Sequence, residues 1–430
     1  MKVDENKTVA MLLKMKEKRL SFKKPRLFFI GMWHLGCVTA AGMHKLGFPV
    51  TCFDFDGKVI DGLSNGTIPV YENGLKELFT DDIKFTKKIS DCSDCDYIFI
   101  TYDVDATGVD TTNARMNCDP LLRKLIKELK PYAKGKILVV RSQITLGFCD
   151  ALGRELDCEV CCVPENLRLG TAVENFFHPD WMVFGISSDA IRGNISLLFE
   201  DIDTTNRLFT GLREAEMVKL TMNCYLATMI SFSSEISDLC EIHDVDASMV
   251  LQAIKMDKRV SRYAPITPGL GFSGGTIKRD VIAAIKFGPT PLLDAVMTIN
   301  EKRSEYIKNK LKQLLGNDLT GKTITFFGAA YKSGTDTLRD SPTVREILSL
   351  QREGKIFINV YDPLITTGIP GVRFLNYVSD AKDSDAIVIM TDSNDWKNIN
   401  YSLINPKVII DTKGVLPNTV KHFGIGVKNE

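Results

Sequence analysis

Beyond Cys240 the chain has no cysteine, so its C-terminal part offers no thiol as nucleophile, metal ligand or disulfide partner. It has no excess of either charge: 54 Lys and Arg balance 54 Asp and Glu, which removes the main reason to expect nucleic acid or a membrane surface as partner. Nor does any apolar run approach the roughly 20 residues that cross a bilayer. The polar opening Met1-Lys-Val-Asp-Glu-Asn-Lys has no signal-peptide core, and cytoplasmic residence is the expectation.

The cysteines that are present number eleven. Without secretion signals they are expected to stay reduced. Cys92-x-x-Cys95 and Cys158-x-x-Cys161-Cys162 have zinc-like spacing, but each cluster abuts a strand pattern, and buried cysteine serves as a small apolar side chain; no metal is expected.

At 430 residues the chain is too long for one small core. Residues 1–24 have the spacing of an amphipathic helix. Residues 26–30 are a short buried-strand pattern, 31–36 a glycine turn, 38–46 a helix start, and 48–54 a second strand ending in an acid. That is one βαβ unit. Strand patterns at 97–101, 137–141, 160–163 and 182–185 alternate with helical ones, which predicts a doubly wound parallel sheet. From 214 to 241 the apolar spacing is helical without interruption and predicts a mostly buried central helix. After 320 the βαβ grammar returns, with strands at 323–327, 356–361, 386–390 and 408–411 and a helix over 343–352. The fold class is therefore α/β, two Rossmann-like doubly wound parallel-sheet domains joined by a central long-helix domain. The expected divisions are 1–24, 25–205, 206–305 and 306–430.

The turn Gly31-Met-Trp-His-Leu-Gly36 keeps the outer glycines of a dinucleotide-binding fingerprint and places Trp33 at the middle one. Gly31, Trp33, His34, Leu35 and Gly36 are the candidate pyrophosphate residues. Asp54, about twenty residues on, is placed to accept from a ribose diol and repels a 2′-phosphate, so NAD is favoured over NADP. Lys219 and Asn223 are four apart in the helical run and share one face. Their flanks Met217, Val218, Leu220, Met222, Tyr225 and Leu226 are apolar, which argues that two polar groups there serve a site.

Several motifs occur in one order: Gly31 to Gly36; Tyr71-Glu-Asn-Gly-Leu75; Pro164-Glu-Asn-Leu-Arg-Leu-Gly170; Pro179-Asp180; Lys219 and Asn223; Gly271-Phe-Ser-Gly-Gly-Thr-Ile-Lys-Arg-Asp280; Tyr331-Lys-Ser-Gly-Thr-Asp-Thr-Leu-Arg-Asp-Ser-Pro342; and Tyr361-Asp-Pro363. Together they resemble the UDP-glucose/GDP-mannose dehydrogenase family from about residue 26 onward. The resemblance implies NAD-dependent oxidation of a nucleotide sugar such as a UDP-hexose at the C6 alcohol, a role in polysaccharide biosynthesis, and a homodimer built on the central helix. It implies that Lys219 and Asn223 hydrogen-bond the substrate oxygen as it becomes negative, that Asp280 with Lys219 orients a water taking the alcohol proton, and that Glu165 is a second acid/base. Arg259 then reaches across the dimer to the neighbour's substrate, Gly274 belongs to the substrate loop, and Lys332 and Arg339 hold the nucleotide diphosphate.

Of the positions that depart from the family, two bear on the chemistry. Gln143 replaces a threonine that helps hold the active-site water, and Thr276 replaces the cysteine that captures the sugar aldehyde. A hydroxyl is a poor nucleophile unless a base activates it, whereas a thiol is partly ionised near neutral pH. Three readings follow: one hydride transfer; four-electron oxidation to the uronic acid through an aldehyde hydrate aided by Glu165; or a catalytically silent nucleotide-sugar binder.

Overall fold

Short, apolar runs become the strands of two sheets. The structure, a computed structural model, describes residues 24–102, 120–165, 167–273, 275–338, 341–417 and 419–427. The helix expected over 1–24 falls outside them but for Lys24, and so do Asn166, Gly274 and Arg339. Two compact units divide the described chain, one reaching to Lys219 and the other starting at Leu220.

The first unit holds β1 (Leu27–Ile30), β2 (Val50–Phe53), β3 (Lys84–Thr86), β4 (Tyr97–Ile100), β5 (Ile137–Val140), β6 (Glu159–Cys162), β7 (Met182–Ile186) and β8 (Arg207–Thr210), in the order β3-β2-β1-β4-β5-β6-β7-β8. In β1, Leu27 and Phe29 pack into one apolar cluster and Phe28 and Ile30 into another. β4 alternates likewise, so both faces of the sheet are covered, as parallel strands require. Cys52 and Cys161 lie in the first cluster and Cys92, Cys95, Cys149 and Cys162 in the second, where they serve as small apolar side chains.

Two strands depart from the expected parallel sheet: β7 runs antiparallel to β6, and β8 pairs parallel with β7 and so shares its direction. An antiparallel return needs no crossover, so residues 163–181 stay at the carboxyl end of the sheet, where α/β folds bind ligands. Glu165 is among them. The helix after the glycine turn, α1 (His34–Lys45), also begins earlier than its apolar spacing predicts. Trp33 takes the N-cap with extended backbone, so the helix starts directly after the turn. Further on, α2 (Phe148–Leu156) follows β5, and α3 (Leu212–Ile242) is the expected long helix.

That helix is less buried than its apolar content predicts. Tyr225, Phe232 and Leu239 are 61, 46 and 52% exposed, and Met217 is exposed as well. They recur every two turns or so, which gathers them into a stripe on one side.

The second unit contains α4 (Gly275–Phe287), α5 (Pro342–Gln351) and a six-stranded parallel sheet. Its strands are β9 (Thr323–Phe327), β10 (Phe357–Tyr361), β11 (Arg373–Phe374), β12 (Ala386–Ile389), β13 (Val408–Asp411) and β14 (Phe423–Gly424), in the order β11-β10-β9-β12-β13-β14. The first six strands of each unit thus follow one Rossmann order. The likeness extends to the turns. Gly31 and Gly328, each directly after the first strand of its unit, have φ of +97° and +95°. Asp54 Oδ2 accepts from Met32 N at 2.7 Å, and Asp362 Oδ2 accepts from Ala329 N at 2.7 Å.

Candidate active site

The turn after β1 is shaped to admit a pyrophosphate. A Cβ on Gly31 would come within 2.8 Å of Tyr102 N, and one on Gly36 would sit 1.8 Å from the Gly31 carbonyl oxygen. Only glycine fits at either place. Trp33, in the position of the middle glycine, has φ of −100°, which any residue adopts, and its indole is 48% exposed. The substitution therefore does not strain the turn. The N-terminus of α1 lies directly behind it and offers unpaired N–H groups to an anion. Leu35 is buried under the turn. These features fit a dinucleotide.

Asp54 and Asp362 look equivalent but differ in their free valences. Asp362 accepts from four backbone N–H groups, those of Ala329, Ala330, Leu364 and Ile365, which fills a carboxylate's acceptor sites. It is a brace. Asp54 accepts from the N–H groups of Met32 and Asp56, with the Tyr102 hydroxyl at 3.5 Å, and keeps acceptor capacity for a ribose diol.

His34, at the first position of α1, turns its ring to a residue of the Tyr71-to-Leu75 motif to which the sequence assigned no role. Its Nε2 lies 2.8 Å from Glu72 Oε2, and the Glu72 side chain is fully buried. Glu72 also accepts from Gly170 N at 2.9 Å and Ala172 N at 3.1 Å. One carboxylate thus ties the glycine turn to the loop after Glu165.

Glu165 and Lys219 meet in the first unit. Lys219 Nζ lies 3.2 Å from Glu165 Oε1, with side chains only 12 and 18% exposed. Glu165 Oε2 accepts from Leu167 N at 2.6 Å. Burial pushes the carboxyl up, but the charge and hydrogen bond of Lys219 and the Leu167 N–H outweigh it, so the net shift is downward and Glu165 is ionised at neutral pH. Arg141, at the end of β5, adds a further positive charge. Its Nε and Nη1 are buried without a hydrogen-bond partner.

Asn223 and Asp280 meet in the second unit. Asp280 is buried one helical turn after Thr276 on α4, and its Oδ2 accepts from Asn223 Nδ2. Arg279 Nε lies 3.4 Å from Asp280 Oδ1. Thr276 is exposed on the first turn of α4. The thiol bonded to this cluster is Cys224, whose Sγ donates to the Asp280 carbonyl at 3.9 Å. It is packed among Ala227, Phe272, Val281 and Val296, and burial followed by the Asp280 charge pushes it up to about 11. Such a thiol is not a nucleophile. Elsewhere, Arg259 is exposed and pairs with Asp257 through two hydrogen bonds, and Lys332 is exposed.

Three models of the UDP-glucose/GDP-mannose dehydrogenase family match the chain: the NAD binding domain over residues 25–203, the central domain over 213–302 and the UDP binding domain over 325–418. The UDP-glucose 6-dehydrogenase of Rickettsia bellii is 30% identical over 419 residues, covering 90% of this chain and 95% of that one. Among solved structures, a UDP-glucose dehydrogenase from the hyperthermophilic archaeon Pyrobaculum islandicum is similar with a TM-score of 0.84 at 25% identity, over 95% of this chain and 99% of that one. The UDP-N-acetyl-mannosamine dehydrogenase of Staphylococcus aureus shares the fold, with a TM-score of 0.78 at 23% identity over 93 and 98%.

Proposed function

The chain belongs to the UDP-glucose/GDP-mannose dehydrogenase family, whose cofactor is NAD, and from that premise we propose that it oxidises a UDP-hexose or similar nucleotide sugar at the C6 alcohol in one two-electron step. The observation that carries the single step is Thr276, exposed where the family loop holds its nucleophile, with the neighbouring thiol of Cys224 buried and protonated. Among the described residues, no thiolate is at hand to capture an aldehyde.

Alcohol oxidation breaks one C–H and one O–H bond. NAD supplies the acceptor for the hydride. The chain must take the proton and stabilise the oxygen, whose negative charge grows as hydride leaves. Lys219 and Asn223 are the proposed oxygen donors. Asp280, held by Asn223 and Arg279, orients the water that takes the proton, and Glu165 keeps Lys219 charged and turned. Lys332 and Arg339 hold the diphosphate, and Arg259 and Gly274 complete the substrate contacts. Turnover with NAD should appear for at least one of UDP-glucose, UDP-N-acetylmannosamine and GDP-mannose, and mass spectrometry of enzyme quenched during turnover should find Thr276 unmodified. An ester on Thr276 would contradict the proposal.

The exposed stripe of Tyr225, Phe232 and Leu239 supports a homodimer through α3, because isolated monomers rarely present aligned large apolar groups to water. Phe232→Asp should sediment as a monomer where the unaltered chain is a dimer. A dimer that persists in the variant would place the contact elsewhere.

A further inference from the structure

We infer that Glu216 is a positioning residue for the reaction proposed above, its buried carboxylate locking the segment after β5 and the strand end before Glu165 onto the helix that carries Lys219. The inference rests on that reading of Lys219 and Glu165. Helix α2 opens on Gly147, whose φ is +84° and which has no side chain to cap the first turn. Glu216, reaching from α3, supplies the cap from outside. Its Oε2 accepts from Gly147 N at 2.5 Å and its Oε1 from Cys149 N at 2.8 Å. The carboxylate is favoured at a helix N-terminus by the dipole, and the two N–H donors offset part of its desolvation.

The contacts continue on both sides. The Cys149 side chain is buried in one apolar cluster with Cys162, which ends β6 three residues before Glu165. Glu165 bonds Lys219, which lies one turn beyond Glu216 on α3. The result is a closed ring: Glu216 to the Cys149 backbone by hydrogen bond, Cys149 to Cys162 through one apolar cluster, along the chain to Glu165, across to Lys219, and back along the helix. Loop 142–147, which carries Gln143, is fixed by the same carboxylate. A displacement of about 1 Å in such a group costs up to about a hundredfold in rate, so a residue that touches no reactant can still govern turnover.

Glu216→Gln in the full chain tests this, because the amide keeps the volume and one acceptor but turns N–H groups toward a backbone N–H. A simple helix cap would lose stability and nothing else. Positioning predicts more. With NAD and whichever of UDP-glucose, UDP-N-acetylmannosamine and GDP-mannose turns over fastest, kcat should fall by about ten- to a hundredfold while sugar KM and NAD affinity stay within a few-fold. Amide hydrogen exchange should quicken over both 143–150 and 162–167. Unchanged exchange in the second segment, unchanged kcat, or loss of NAD affinity in step with kcat would each overturn the inference. Lys219→Ala, measured alongside, separates the two levels. If Lys219→Ala turns over normally, the reading beneath fails, and if it is impaired while Glu216→Gln is not, only the positioning role fails. Should no sugar in the panel turn over, the exchange pattern alone decides, with acceleration in both segments expected.

Discussion

Replacing Lys219 by alanine is expected to lower kcat by on the order of a hundredfold or more while leaving the KM for the nucleotide sugar within a few-fold, because its contact with the substrate oxygen strengthens as charge develops there. The effect has a second signature in pH. Lys219 is the main charge holding the Glu165 carboxyl below its ordinary range against burial, with the Leu167 N–H and Arg141 assisting. Without the ammonium, Glu165 titrates higher, and a direct titration of the carboxyl in the variant should show it. Stability follows the same sign. A depressed carboxyl stabilises the fold above its unfolded value and loses that contribution as pH falls through the folded value, so Lys219→Ala should narrow the difference between neutral and acid stability. A variant with raised KM and normal kcat would place Lys219 in binding rather than chemistry.

NADP is expected to bind about a hundredfold more weakly than NAD, since a phosphate set against a fixed carboxylate costs several kcal/mol. The carboxylate in question is Asp54, which cannot swing away because Met32 N and Asp56 N hold both its oxygens, at 2.7 and 2.9 Å. Asp54→Ser should weaken NAD by losing the ribose contact and strengthen NADP, closing most of the gap. Titration of both cofactors against both proteins measures it. Equal affinities in the unaltered chain would mean that the ribose lies elsewhere.

The parts of this molecule that were legible in the sequence are those whose signal is local. Apolar runs marked β1, β2, β4 to β7, β9, β10, β12 and β13 but not β3, β8, β11 or β14, a glycine turn followed by a strand ending in an acid marked each Rossmann start, and 3.6-residue spacing marked α3 nearly to its ends. Candidate site residues on these elements were proposed from the order of the motifs. What escaped were single charged residues whose meaning depends on distant partners. Glu216 reaches Gly147 across 69 positions and Glu72 reaches Gly170 across 98; nothing beside Glu216 in the chain distinguishes it from a solvated surface acid, and the motif around Glu72 does not name its partners. The misjudged burial of α3 has another cause. Tyr225, Phe232 and Leu239 are apolar for a second face, and apolarity in a sequence does not say whether the chain's own core or another surface covers it. The antiparallel β7 was hidden because a run such as Met182–Ile186, buried at every position, carries no mark of direction.

The single-step claim turns on Thr276, and counting NADH formed per nucleotide sugar consumed tests it most directly, in the unaltered chain and in Thr276→Ala. A hydroxyl on the exposed first turn of α4 that does not attack carbon can be removed without abolishing hydride transfer. One NADH per sugar in both proteins, with most of the rate retained in the variant, is the predicted result. Two NADH per sugar that fall to none in Thr276→Ala would make the threonine an activated nucleophile, two NADH in both proteins would point to an aldehyde hydrate served by Glu165, and either outcome would contradict the single step.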